Sequence, residues 1–429
     1  MWLDTATAGQ GGISILAARP RTIFRAKGRR IELLSAQGKE QFEADPFTAL
    51  AEQIARHRTN STRGAAIGYF GYDLKNCIER LPAKASNDLG LPDCWFGFYD
   101  DLQVFEVGQG LGQAVPSLHA PTLYAPRSDA LRSTLRSNFT RDSYCRTVLR
   151  AKEYIAAGDI YQVNLSQRFQ CEVDTPPTEL YSALRAANPA PYCAYLDIGE
   201  AQILSTSPEC FLKMDGRNVI TRPIKGTRPR GATAVEDERQ MRELLASPKD
   251  NAELVMITDL ERNDLGKVCE FGSVSVSELV RVETYATVHH LVSTVKGVLR
   301  PDVSHLDCVR ACFPGGSITG APKIRAMEII DELEPHARGV YTGAIGFFGS
   351  NGVSHFNIAI RTAVYVGQAS RLSTGENWTG GTPVLPAGGR LTFHAGGGIV
   401  ADSEPEAEYA ETLDKAEGII RGLNQLRLR

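Results

Sequence analysis

Along the first 124 residues, short runs of alternating apolar and polar positions are separated by polar turns. Positions 13–16, 31–34 and 103–107 carry this period of two and predict strands, while 47–56, behind Asp45 and Pro46, has helical spacing and a helix start. Residues 64–73 mix glycine with tyrosine and phenylalanine, which predicts a buried strand with close backbone approach. We read this half as a scaffold sheet; a regulatory pocket or partner surface is the alternative. Residues 125–138 are polar, show no strand pattern and read as a connection.

The second half is more sharply patterned. A helix is expected from Arg141 to a stop at Gly158, then an alternating strand over 159–169 with Ile160, Gln162, Asn164 and Ser166 on one face. That amide-rich face either lines a polar pocket or meets solvent. Residues 188–196 enter another strand, and 211–220 read as a hairpin turning at Asp215 and Gly216. Ser247 and Pro248 open a helix whose apolar stripe is Ala252, Val255, Met256 and Leu260. Residues 288–297 predict a strand, as do 341–348 and 356–365, which pair through a turn at 350–352. Between 366 and 390 runs a Gly/Ser/Thr/Pro segment that predicts a surface loop. The closing helix starts near Pro405 and should bury Tyr409, Leu413, Ala416, Ile420 and Leu423.

Composition narrows the function classes. A chain of 429 residues with net charge −3 has a large core and no field that draws it to nucleic acid or a membrane surface. Nine scattered cysteines without CxxC spacing read as reduced thiols and imply no zinc site. With no signal-peptide pattern and no long apolar run, the expectation is a cytoplasmic protein.

The candidate chemistry centres on Glu209 and Lys225, sixteen residues apart at the far ends of the expected hairpin. If those ends converge, a carboxylic acid and an amine nucleophile share one pocket. Arg222, Arg228 and Arg230 are expected to crowd Lys225 and favour its free amine; a basic surface loop is the bland alternative. Asp250 and Glu253 stand three apart on one helix, Glu408 and Glu411 three apart on another. Such pairs usually complement a helix dipole, but together they are an all-oxygen set suited to Mg²⁺. Spacing does not show that they meet. The glycine-rich stretch 313–323 opens a helix beside Lys323, a weak anion-site signal. Arg361, in an apolar strand, should meet an acidic side chain or a carboxylate ligand.

Over residues 140–429 the ordered motifs GDIYQVNLSQRF, NPAPYCAYL, SPECF, RPIKGTRPRG, AELVMITDLERNDLG, HHLVS, FPGGSITGAPKIRAMEII, YTGAIGF, IAIRTAV and GGGIVADSEPEAEYAET resemble the chorismate-utilising enzyme family, most closely its aminodeoxychorismate synthase component I branch. Residues 1–124 resemble that family's N-terminal segment more weakly, through GAAIGYFGYDL and FGFYDDL. The resemblance implies an α+β fold: one α/β/β/α unit of two large antiparallel sheets packed face to face and flanked by helices. It also implies conversion of chorismate and ammonia to 4-amino-4-deoxychorismate, on the route to p-aminobenzoate and folate. Ammonia would come from a separate glutamine amidotransferase subunit, and a lyase would later eliminate pyruvate.

By the same resemblance Lys225 adds to C2 of the ring while Glu209 protonates the departing C4 hydroxyl. His290 and Thr319 complete the catalytic set. Tyr341, Arg361, the backbone of Gly396, Gly397 and Gly398, and Lys415 bind substrate. Glu253 and Glu411 hold Mg²⁺ with Asp250 and Glu408 close behind. Anthranilate synthases, the nearest alternative, have alanine where Lys225 stands. Isochorismate synthases carry a general-base lysine where this chain has Gln162. The 366–390 segment exceeds the family's usual turn by roughly twenty residues. Residues 31–35 depart from the family's inhibitor-binding pattern, so no tryptophan feedback is expected. A non-catalytic binding protein is disfavoured by the presence of Glu209, Lys225, Glu253 and Glu411. A nucleic-acid-binding loop over 222–230 is disfavoured by balanced charge and by the lack of aromatic residues there.

Overall fold

The computed structural model describes residues 1–4, 13–58, 64–106, 135–285, 288–367 and 388–426. Their strands form two antiparallel sheets, of ten and twelve strands. The ten-stranded sheet passes from Gly320–Ala321 through Gln162–Val173, Gly389–Ile399, Thr362–Gly367, Gln202–Ser207 and Tyr192–Asp197 to Trp2–Asp4, Ile13–Leu16 and Gln103–Glu106. The twelve-stranded sheet passes from Ile224–Pro229 through Val288–Val298, Asn218–Arg222, Cys210–Asp215, Val353–Ile358 and Ala344–Gly349 to Ala65–Phe70, Cys94–Tyr99 and three more N-terminal strands. Both halves of the sequence therefore build both sheets. The hairpin over Cys210–Asp215 and Asn218–Arg222 forms where it was expected.

Two sheets can lie face to face because their central strands are apolar on both sides. In Ala65–Phe70 all six residues are buried. Ala65, Ile67 and Tyr69 enter the core between the sheets, with Ile203 and Val364 from the opposite one. Ala66 and Phe70 turn to the other face, where Phe47 and Leu50 of helix Pro46–His57 cover them. On the outer face of the ten-stranded sheet, Phe169, Tyr365 and Phe393 meet Leu180 and Leu184 of helix Pro177–Ala187 and Ile419 and Leu423 of helix Pro405–Leu426. Gly68 and Gly346 lie opposite each other in register. A Cβ on either would come within 1.9 Å of a neighbouring carbonyl oxygen, which explains the close approach anticipated from the glycines.

Several expectations need correction. Residues 356–365 are not one strand: Val353–Ile358 ends in the twelve-stranded sheet, and Thr362–Gly367 begins in the other. Arg361 sits in the break at φ 48°, and Tyr341 precedes its strand, beside Thr342 at φ 61°. The apolar run hides the break because both segments are buried on both faces. Helix Pro248–Gly266 is capped by Ser247 as expected, yet Val255 is exposed, and Leu254, Ile257, Thr258, Glu261, Asp264 and Leu265 form the buried side. In helix Pro405–Leu426, Ala416, Ile420 and Leu423 are buried as expected, but Leu413 is exposed and Glu408 and Thr412 are buried. In both helices polar groups with specific partners occupy the inner face, so apolar spacing misplaces it. The polar connection contributes a two-residue strand, Arg136–Ser137, against Phe169 and Gln170. The loop expectation for 366–390 falls mostly on residues 368–387, outside the described residues. Seven of the nine cysteines are buried.

Among the buried groups, Arg338 stands out. Its guanidinium donates to both carboxylate oxygens of Glu334, at 2.9 and 2.7 Å, to the Asn164 carbonyl at 2.7 Å and to the Ile318 carbonyl at 3.0 Å. Removing one partner of such a pair strands a buried charge, so Arg338→Met should cost roughly 3–5 kcal/mol in urea unfolding. Arg21→Met, which breaks the exposed pair with Asp100, should cost less than about 1 kcal/mol. Equal losses would show that the Arg338 pair carries no special burden.

Candidate active site

Two sheet crossings lie side by side. The chain leaves the ten-stranded sheet at Ser207 and enters the twelve-stranded one at Cys210, with Pro208 and Glu209 between; it returns through Ala359 to Arg361. Hydrogen bonds pin the crossings together: Ser207 Oγ donates to the Ile358 carbonyl (2.6 Å), the Ile358 N–H to the Glu209 carbonyl (3.0 Å), and the Thr206 N–H to the Arg361 carbonyl (3.1 Å). Glu209 is buried. Burial pushes its carboxyl above the usual range, only partly opposed by the Ser317 hydroxyl, the Lys225 charge, a backbone hydrogen bond at Ile224 and the Lys415 charge. A carboxyl tuned this way keeps its proton closer to neutrality and can donate it.

Lys225 lies on strand Ile224–Pro229, opposite Leu291, with the next residue, Gly226, bulged at φ 70°. Its Nζ is 3.7 Å from Glu253 Oε2. The arginines expected to crowd it do not. Arg222 pairs with Glu283, Arg228 with Asp250 at 3.1 Å and Arg230 with Asp237 at 2.7 Å. Acids on the flanking helices and strand draw each guanidinium outward, a contact that sequence spacing does not register.

Across from Lys225 runs the bare edge of Gly396–Gly398, paired to Asn164, Leu165 and Ser166. A Cβ on Gly398 would sit 3.4 Å from Lys225 Nζ and 2.0 Å from Gln162 Nε2; one on Gly397 would sit 3.2 Å from both Glu408 Oε2 and Glu411 Oε1. The amide-rich face is thus buried, not solvent-facing, with Gln162, Asn164 and Ser166 all nearly inaccessible. Nine buried side-chain atoms lack a hydrogen-bond partner among the described residues, and four belong here: Gln162 Oε1, Asn164 Oδ1, His290 Nε2 and Glu408 Oε2. Such a concentration marks a place where a polar ligand completes the bonding.

The remaining predicted residues surround this edge. The His290 Nδ1 is 2.9 Å from Thr227 Oγ1, and burial, with the Arg361 charge, drives its imidazole down to about 3. Burial and the Arg421 charge likewise push Arg361 down, and no ion pair among the described residues engages it, so the expected acidic side-chain partner is not found there. Tyr341 stacks on His394, ring centroids 4.9 Å apart. Lys415 Nζ donates to the Gly396 carbonyl at 2.9 Å and pairs with Glu411 at 2.6 Å. Thr319 is fully buried, its hydroxyl given to the carbonyls of Gly315 and Gly316 at 3.0 and 3.3 Å.

The four expected metal-binding carboxylates come only partly together. Glu408, Glu411 and Glu253 all face Lys249, which lies 3.5 Å from Glu408 Oε1 and whose charge they stabilise. Asp250 is taken by Arg228. Burial raises the Glu411 carboxyl, but Lys415, Lys249 and Lys225 outweigh it and hold it below its ordinary range. Among the described residues no three acidic, histidine or cysteine side chains converge on one point. The unpartnered Glu408 Oε2 beside Glu411 Oε1 nevertheless has the all-oxygen chemistry that Mg²⁺ requires. Lys249, Ser317, Gln162 and Asn164 escaped assignment as site residues in the sequence; only the strand alternation hinted at the last two.

A family model described as chorismate binding enzyme matches residues 10–377 and 382–421. The chain belongs to that family. Over 426 residues it is 40% identical to aminodeoxychorismate synthase component 1 of Klebsiella aerogenes, covering 95% of this chain and 90% of that protein. Over 437 residues it is 39% identical to anthranilate synthase component 1 of Thermus thermophilus, covering 96% and 89%. The crystal structure of anthranilate synthase component I from Streptococcus pneumoniae superposes with a TM-score of 0.76 at 30% identity, covering 96% of this chain and 93% of that one. The two-sheet fold and the family expected from the motifs are both upheld. Relatives of both activities match almost equally.

In this chorismate-binding enzyme the glycine-rich stretch is not an open anion site. Its Gly316 N–H is already taken by an internal anion, Glu261 Oε1 at 2.9 Å, and Lys323 is spent on Asp264 and on the carbonyls of Cys312 and Pro314. The histidine has a measurable consequence. With a folded value of about 3 against an ordinary 6.5, the unfolded chain binds the extra proton between those limits, so stability contributed through His290 falls as pH drops from 6.5 towards 3. His290→Asn should lose less unfolding free energy than the parent between pH 6.5 and 4. Identical slopes would mean that the imidazole is accessible to protons in the folded state.

Proposed function

We propose that the chain is component I of an aminodeoxychorismate synthase, converting chorismate and ammonia to 4-amino-4-deoxychorismate. The observation that carries the reading is the presence of an amine, Lys225, beside the glycine edge and within electrostatic reach of the buried acid Glu209. Chorismate carries two carboxylates and an allylic C4 hydroxyl. Arg361, with no acidic partner among the described residues, and Tyr341 suit the enolpyruvyl carboxylate, with the backbone of Gly396–Gly398 and Lys415 lining the same edge.

Glu209 delivers its proton to the C4 hydroxyl, which leaves as water. The Lys225 amine adds at C2 as the ring double bonds shift. Ammonia then enters at C4, the double bonds shift back, and the lysine amine is expelled. Splitting one congested displacement into two allylic steps is what a covalent nucleophile contributes. The neutral His290 imidazole lies against the ring without adding a competing cation. Glu408 and Glu411, whose oxygens adjoin at Gly397, would hold Mg²⁺, and when bound the ion would neutralise the ring carboxylate. Ammonia is supplied by a separate glutamine amidotransferase subunit.

Incubation with chorismate, ammonium and Mg²⁺, with products separated and identified, tests the reading. Aminodeoxychorismate is expected from the parent protein. It should vanish in Lys225→Ala and fall by roughly 10²–10⁴ in Glu209→Gln, the range spanned by loss of a general acid. Chelation of the metal should abolish turnover. Anthranilate from the parent protein would assign the other amination, and full activity of Lys225→Ala would remove the covalent step.

A further inference from the structure

We propose that Glu261 is a positioning residue for acid catalysis by Glu209, acting through the loop that carries Ser317. The inference rests on the amination reading only in taking Glu209 as the acid. Glu261 lies on the inner face of helix Pro248–Gly266, is buried, and belongs to none of the groups around the glycine edge. Its Oε1 accepts the Gly316 N–H at 2.9 Å, while Thr221 Oγ1 lies 3.5 Å from its Oε2. Thr221 is on strand Asn218–Arg222, whose Arg222 pairs with Cys210, the residue after Glu209. One carboxylate thus bridges the sheet that presents the acid and the loop that carries Ser317.

The loop is fastened on both sides of Ser317. A Cβ on Gly316 would lie 2.6 Å from Leu260 Cδ2 and 3.1 Å from Glu261 Oε1, so the backbone rests directly on the helix. One turn further along the helix, Asp264 holds Lys323, whose ammonium donates to the carbonyls of Cys312 at 2.9 Å and Pro314 at 2.8 Å. Thr319 closes the same turn onto Gly315 and Gly316. Between these ties Ser317 is the group that most opposes the effect of burial on the Glu209 carboxyl. A hydrogen bond weakens steeply with distance and angle. Release of Gly316 would therefore move the Ser317 hydroxyl relative to the acid. Glu261 and Glu209 also sense each other's charge.

The experiment compares kcat and KM for chorismate in Glu261→Gln, Glu261→Asp, Glu261→Ala, Ser317→Ala and the double variant Glu261→Ala/Ser317→Ala, each first checked for native circular dichroism. Glutamine keeps an acceptor at the same reach; aspartate keeps the charge but withdraws it by one methylene. Glu261→Gln should stay within about threefold of the parent, and Glu261→Asp and Glu261→Ala should lose roughly 10–100-fold in kcat, the scale of one charged hydrogen bond, with KM little changed. The double variant should be no worse than Ser317→Ala alone within about twofold, since both changes remove the same restraint. Additive losses, or a glutamine variant as slow as the aspartate one, would overturn the proposal. So would full activity in the aspartate variant, which keeps a charge on the helix and serves if the alanine variant fails to fold. Because Glu209 protonates a departing hydroxyl in either amination, a parent protein that makes anthranilate would defeat the functional assignment while leaving this comparison intact.

Discussion

Everything in the cleft depends on two sheet crossings being held together. Ser207 and Glu209 on the outgoing strand exchange hydrogen bonds with Ile358 on the returning one. That joint fixes a carboxyl and a guanidinium on neighbouring irregular segments, where neither is shielded by a strand partner. Thr342 and Arg361 adopt left-handed backbone conformations beside it. Such strain survives only where the surroundings over-determine it, and at Thr342 the buried Arg338, paired with Glu334, donates to the threonine hydroxyl at 3.3 Å.

Around the joint the protein tolerates groups that cost stability. Unpartnered buried atoms on Gln162, Asn164, His290 and Glu408, a guanidinium without a carboxylate and a carboxyl raised by burial are each unfavourable alone. Their coincidence around one glycine edge marks a polar pocket: the orphan oxygens of Gln162, Asn164 and Glu408 call for a donor or a cation, and the guanidinium for an anion. The surrounding lysines follow the same logic. Lys225, Lys249 and Lys415 pair with Glu253, Glu408 and Glu411, so the carboxylates and ammonium groups compensate one another's charge.

The outer layer solves a different problem. Helix Pro248–Gly266 does not simply cover a sheet; its inner face carries Glu261 and Asp264, which reach through to the glycine-rich loop. The loop has glycine where it touches the helix, followed directly by Ser317. Packing and positioning are therefore accomplished by the same contacts, and this is why the helix lacks a clean apolar stripe.

The chain by itself determined a good deal. Alternation located the strands and the Asp215–Gly216 hairpin, Ser247 and Pro248 marked a helix start, and the ordered motifs identified the family, because local propensities and short-range spacing are written in adjacent residues. Its motifs also named most of the residues that the fold gathers, including Glu209, Lys225, His290, Arg361 and Lys415. What spacing could not carry were interactions between segments far apart in the chain. It did not reveal that residues 356–365 change sheets at Arg361, nor that the arginines flanking Lys225 would each turn to a carboxylate. It did not show that a buried Glu261 would hold the Ser317 loop. Those outcomes were decided only when the two sheets closed on each other, since burial selects partners by distance in space and a charge can be buried only where such a partner waits.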